Sequence, residues 1–116
     1  AHYLKGETHR ILEQTNEAIA EYVYVLSKDN NHYWANIRLG QMIWKADRNL
    51  SQAELYLKHA IAVNGEEKGA YLGLGVIYMK SGNYVAAQMM FEQVLTLDST
   101  DQQALEFLEV LQAAPP

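Results

Sequence analysis

The chain has 116 residues, 49% of them hydrophobic, no cysteine, and a formal charge of −5. That length supports a single domain, the lack of cysteine excludes disulfides and thiolate metal sites, and the acidic balance argues against a general nucleic-acid binder, which needs a basic surface. No apolar run is long enough for a transmembrane helix, and no signal-peptide pattern is visible. The chain starts at Ala1, without an initiator Met and inside a helical pattern, as an excised domain would. Localisation stays open between the cytoplasm and an exported compartment.

The predicted elements come in pairs, within one domain expected over 1–112. The first pair occupies about 1–32, with Gly6 on its first helix and Glu17-Ala18-Ile19 opening its second. Glu21 to Leu26 reads EYVYVL, a strand by propensity. Ala18, Tyr22, Val25 and Leu26 nevertheless fall on one helical stripe, so a helix is expected. The second pair, about 33–67, has Leu39-Gly40 and Ile43 on its first helix and Ala53, Leu57, Ala60 and Ile61 on its second. Ser51 and Glu54 have capping-box spacing, Asn64-Gly65 reads as a helix stop, and Glu66 and Glu67 are expected in the next helix's first turn, where the dipole favours them.

The third pair, about 68–101, is the clearest. Tyr71, Leu74, Gly75 and Tyr78 recur at helical spacing, Ser81-Gly82-Asn83 breaks the pattern, and Ala87, Phe91, Val94 and Leu95 resume it. A last helix is expected at about 101–112, with Ala104, Leu105, Leu108 and Leu111 inward and Glu106, Glu109 and Gln112 toward water; 113–116 reads as a frayed tail.

The pairs are copies. Gly6, Gly40 and Gly75 are 34 and 35 residues apart, Ala18, Ala53 and Ala87 are 35 and 34 apart, and Ala1, Ala35, Ala70 and Ala104 keep the same step. Small residues recur because two helices that cross closely need room for a large partner side chain, here Tyr22, Leu57 and Phe91. An aromatic, Leu-Gly, Tyr, a Gly turn and Ala-x-x-x-Phe, in that order, resemble the tetratricopeptide repeat, with Ser99 in place of the closing Pro. The resemblance implies an all-α, right-handed α-solenoid of antiparallel helix pairs, about seven helices, with three repeats and a capping helix. It also implies a concave groove, lined by the first helix of each pair, that holds a partner's peptide or helical segment.

Rotating by about 100° per residue from the core stripe gives the groove positions. They are Tyr3, Glu7 and Arg10, then Ile37, Gln41 and Trp44, then Leu72, Val76 and Met79, flanked by Trp34, Arg38 and Lys45. Such a surface suits an amphipathic segment whose acidic groups meet Arg38 or Lys45. The plainer alternative is that Ile37, Trp44 and Met79 only complete packing between pairs. Replacing Ile37 and Leu72 by Glu is expected to spare the fold and abolish binding. Gly69 and Gly73 mark either a close approach by a ligand or a fraying helix start with one tolerated glycine. The Lys/Asn clamp by which some family members hold a C-terminal carboxylate is not carried, since Glu7, Gln41, Gly69 and Gly73 stand at its positions.

Chemistry finds little support. His2, His9 and Glu13 share a rough helical face but make a weak metal signal, and His32 and His59 have no evident co-ligands. Gly73-Leu74-Gly75 follows no strand and lacks the third glycine of a dinucleotide loop. The sequence reads as no enzyme, with no cofactor and no metal. Its partner is an unidentified protein or peptide, not nucleic acid or a membrane interior. The rival readings are self-association, as a homo-oligomerisation or assembly module, and a structural spacer in a larger protein.

Overall fold

The computed structural model describes residues 1–113; the rest of the expected tail, 114–116, lies outside the described residues. Among the described residues seven helices follow one another: α1 (His2–Ile11), α2 (Thr15–Lys28), α3 (Tyr33–Asp47), α4 (Leu50–Val63), α5 (Gly69–Lys80), α6 (Tyr84–Leu97) and α7 (Gln102–Ala113). No strand occurs among the described residues. The EYVYVL stretch is helical, because burial of Ala18 and Tyr22 on one stripe overrides its strand propensity. The chain divides into two compact units, one ending at Asn64 and one starting at Gly65.

In the first unit α1 packs on α2, α2 on α3, and α3 on α4. Its core gathers Ala18, Tyr22, Leu39, Met42 and Ile43, with Tyr3, Ile19, Leu26 and Tyr56 against it. The recurring glycines are contact points. A Cβ on Gly6 would come within 2.7 Å of the Tyr22 ring, and one on Gly40 within 2.7 Å of Leu57 and 2.9 Å of the Ala53 carbonyl oxygen. Helix α4 is capped two residues before the expected capping box, at Asn49 rather than Ser51. The Asn49 side chain accepts from the Gln52 N–H at 3.1 Å, and Ser51 and Glu54 already lie inside the helix. An Asn carboxamide at the N-cap satisfies an orphan N–H before Ser51 could do so. At the other end Asn64 caps α4 in an extended-like conformation (φ −150, ψ 90), without the left-handed glycine that Asn64-Gly65 suggests.

In the second unit α5 packs on α6 and α6 on α7. A Cβ on Gly75 would reach within 2.5 Å of Phe91, whose ring stacks on Phe107 with centroids 4.9 Å apart. Gly82 turns the chain between α5 and α6 at φ +86, where a side chain would be strained. Glu66 and Glu67 precede α5 rather than forming its first turn, because Lys68 takes the N-cap position. The Lys68 ammonium donates to Asp98 and Asp101, both at 2.6 Å, tying the start of α5 to the α6–α7 connection. Asp101 also accepts from the Ala104 N–H at 2.9 Å and so starts α7. Helix α7 buries Ala104 and Leu108, while Leu105 is exposed, against expectation, and Glu106, Glu109 and Gln112 are exposed as expected. Glu109 stands 34 residues after Gly75, where the earlier pairs carry glycine. Ala113, expected in the tail, is the last residue of α7.

Candidate functional site

On the first unit, three helices bring the expected residues of α1 and α3 into one polar cluster. Glu7 is its centre. Its Oε1 accepts from the Tyr22 hydroxyl at 2.5 Å and from Arg38 Nε at 3.0 Å, and its Oε2 accepts from Arg10 Nη2 at 3.0 Å. Arg38 also donates from Nη1 to Gln41 Oε1 at 3.1 Å. Spacing along the helices explains the grouping: Glu7 and Arg10 are three apart on α1, and Arg38 and Gln41 are three apart on α3. Two guanidiniums against one carboxylate leave a local surplus of one positive charge, in a chain that is −5 overall.

Burial raises the Glu7 carboxyl, but hydrogen bonds from Arg10 and Tyr22 and the charges of Arg38 and Arg10 outweigh it and hold the group below its ordinary range. The Tyr22 hydroxyl is driven far upward by burial and then by its bond to the Glu7 carboxylate. Tyr3, half-buried, is raised by burial and then by the Glu7 charge; its ring lies 4.9 Å from that of His32. At 39% exposure, Trp34 is the open aromatic of the group. The Arg38 guanidinium lies over its ring at 5.5 Å, and the Tyr33 ring meets it at 87° with centroids 5.2 Å apart.

Other expected positions differ. Ile37 is 1% exposed and Trp44 9%, so both are buried among the core residues rather than open to a ligand. Glutamate at Ile37 would bury a charge, so the expectation that this change spares the fold is corrected. The Arg48 guanidinium lies 5.4 Å from the centre of the Trp44 ring. Lys45 is exposed. On the second unit Leu72, Val76 and Met79 are half-buried along α5; Gly69 is the first residue of that helix and Gly73 is buried in it. Sequence reasoning missed Tyr22 as the anchor of Glu7, having read it only as the residue that fills the space beside Gly6. It missed Tyr33 and Arg48 as aromatic and cationic neighbours of the two tryptophans.

Among the described residues, no group of three or more His, Cys, Asp or Glu could hold a metal ion. His2 instead bonds Glu21 at 2.8 Å and His9 bonds Gln14 at 2.6 Å. Among the described residues, no helix is long and apolar enough to cross a membrane.

The tetratricopeptide-repeat family model matches residues 69–101, the third helix pair. Superkiller protein 3 of Schizosaccharomyces pombe is 28% identical over 87 residues, covering 75% of this chain but 6% of that protein. The chain thus spans a small fraction of that relative's length. The tetratricopeptide-repeat domain of Arabidopsis OM64 superposes with a TM-score of 0.87 at 18% identity, covering 98% of this chain and 93% of that one. The first such domain of Spaghetti (RPAP3), solved with an HSP90 peptide, gives 0.87 at 20% identity over 96% of this chain and 89% of that one. At these identities the structural matches speak to the fold. The repeat period, the glycine–aromatic crossings and the superpositions agree on the tetratricopeptide-repeat fold, and the third helix pair matches the family model itself.

Proposed function

We propose that the chain is a protein–protein interaction module that binds a peptide or short helical segment of a partner, without catalysing a reaction. The observation that carries this is the Glu7–Arg10–Arg38–Trp34 group. It presents an exposed aromatic and surplus positive charge on rigid helices, and Trp and Arg are the residues that most often anchor interfaces. Similar domains with a chaperone peptide bound, such as that of Spaghetti, support the class of ligand. The Lys/Asn clamp positions differ here, so a chaperone tail is not the expected ligand. The expected segment carries acidic side chains to meet Arg38 and Arg10 on the first unit, with Tyr3 and Gln41 beside them. Selection from a random peptide library, followed by calorimetry on wild type and Arg38→Ala, tests it. Binders that lose affinity with Arg38→Ala support the reading; a library that yields none contradicts it.

The second reading is self-association. It is favoured by Leu4 and Ile11, exposed seven residues apart on one face of α1, and by Leu12, exposed at its C-cap. Molar mass measured against concentration tests it: a rise that is lost with Ile11→Lys supports association, and a constant monomer mass rejects it.

A further inference from the structure

The site described above rewards a more specific ligand than an acidic peptide. Tyr33 and Trp34 are neighbours in the first turn of α3, and their rings meet at 87° with centroids 5.2 Å apart, forming a corner of two aromatic surfaces. The Arg38 guanidinium lies over Trp34, one helical turn further along. Flat, rigid apolar rings seat well in such corners, and proline-rich segments use aromatic-lined surfaces in this way because their extended helix is already ordered before binding. Pre-ordering matters here, since a small contact area leaves little to offset the cost of immobilising a flexible chain.

Resting on the peptide-binding reading above, we infer that the partner segment is an extended Pro-x-Glu or Pro-x-Asp stretch, with the proline ring in the Tyr33/Trp34 corner and the carboxylate at Arg38 and Arg10. The spacing agrees. The Arg38 guanidinium lies 5.5 Å from the centre of the Trp34 ring, and two residues of a polyproline helix span about 6 Å. Charge agrees as well, because Arg10 and Arg38 exceed Glu7 by one positive charge at a surface of an otherwise acidic chain.

The experiment uses the acetylated, amidated peptide Gly-Pro-Ser-Glu-Gly-Pro-Ser-Glu, a second peptide with alanine for each proline, and a third with glutamine for each glutamate. The chain has two tryptophans, so two indole N–H resonances report binding separately at Trp34 and Trp44. The inference expects the Trp34 signal to move with the first peptide, with affinity about tenfold weaker for each of the other two, a factor typical of one lost specific contact. Trp34→Ala, a change at an exposed helix position, removes that reporter, so its binding is read by calorimetry: affinity for the first peptide should fall about tenfold or more while the thermal melt stays nearly unchanged. Equal binding of the alanine peptide would overturn the inference. So would a library-selected binder that leaves Trp34 unmoved while the first peptide fails, although the peptide-binding reading would then survive. Failure of both the designed and the library peptides would remove that reading too.

Discussion

Arg38 on α3 reaches Glu7 on α1, Nε to Oε1 at 3.0 Å, and the same carboxylate takes the Tyr22 hydroxyl from α2. One half-buried side chain therefore joins three helices. Glu7→Ala leaves two guanidiniums and a phenol without their common acceptor. The expected loss is about 1–3 kcal/mol of stability, the cost of orphaned polar groups, measured by urea denaturation. Glu7→Gln keeps an acceptor, removes the charge, and should tighten binding of acidic peptides. If Glu7→Ala is as stable as wild type, the network does not hold the helices together.

Acid should weaken both units. The Glu7 carboxyl is raised by burial but lowered more by its hydrogen bonds and the arginine charges, while Asp98 and Asp101 are lowered chiefly by the Lys68 hydrogen bonds. Depressed folded-state values mean that this stabilisation is fully present above the unfolded carboxylate range, near pH 4, and is lost as pH falls through the folded values. Melting temperature should hold steady from neutral pH down to about pH 5 and fall below about pH 4. In the triple variant Glu7→Gln, Asp98→Asn, Asp101→Asn that fall should be shallower.

Gly40→Ala tests the helix crossings. Alanine normally stabilises a helix interior by about 1 kcal/mol over glycine. Here the new methyl group meets Leu57 at 2.7 Å and the Ala53 carbonyl oxygen at 2.9 Å, and backbone cannot swing aside. Overpacking of this kind costs about 1–3 kcal/mol, so the net effect should be a lower melting temperature.

The start of α4 separates two cap assignments. Asn49→Ala should cost about 1 kcal/mol, as loss of an N-cap does. Ser51→Ala, inside the helix, should be close to silent. The reverse pattern in chemical denaturation would restore the capping box at Ser51.

The fold was legible because its causes are local and repeated. Gly6, Gly40 and Gly75 keep step with Tyr22, Leu57 and Phe91, and close crossing demands that pairing wherever it occurs. Cap positions were less legible: Asn49 and Ser51 are both good caps, and only the backbone decides which one stands at the helix start. The site was legible in part. Helical rotation places Glu7, Arg10 and Gln41 on one stripe, but it cannot separate a half-buried position from a buried one. Ile37 and Trp44 occupy that stripe and are core. The Tyr22–Glu7 bond spans 15 residues and carries no local signal.

The most direct measurement is chemical-shift mapping of the labelled chain with the tightest peptide obtained from the library. The account predicts that the largest changes fall on Tyr3, Arg10, Trp34, Arg38 and Gln41. Changes confined to the exposed residues of α4 and α6, such as Leu55, Val85 and Met89, would contradict it.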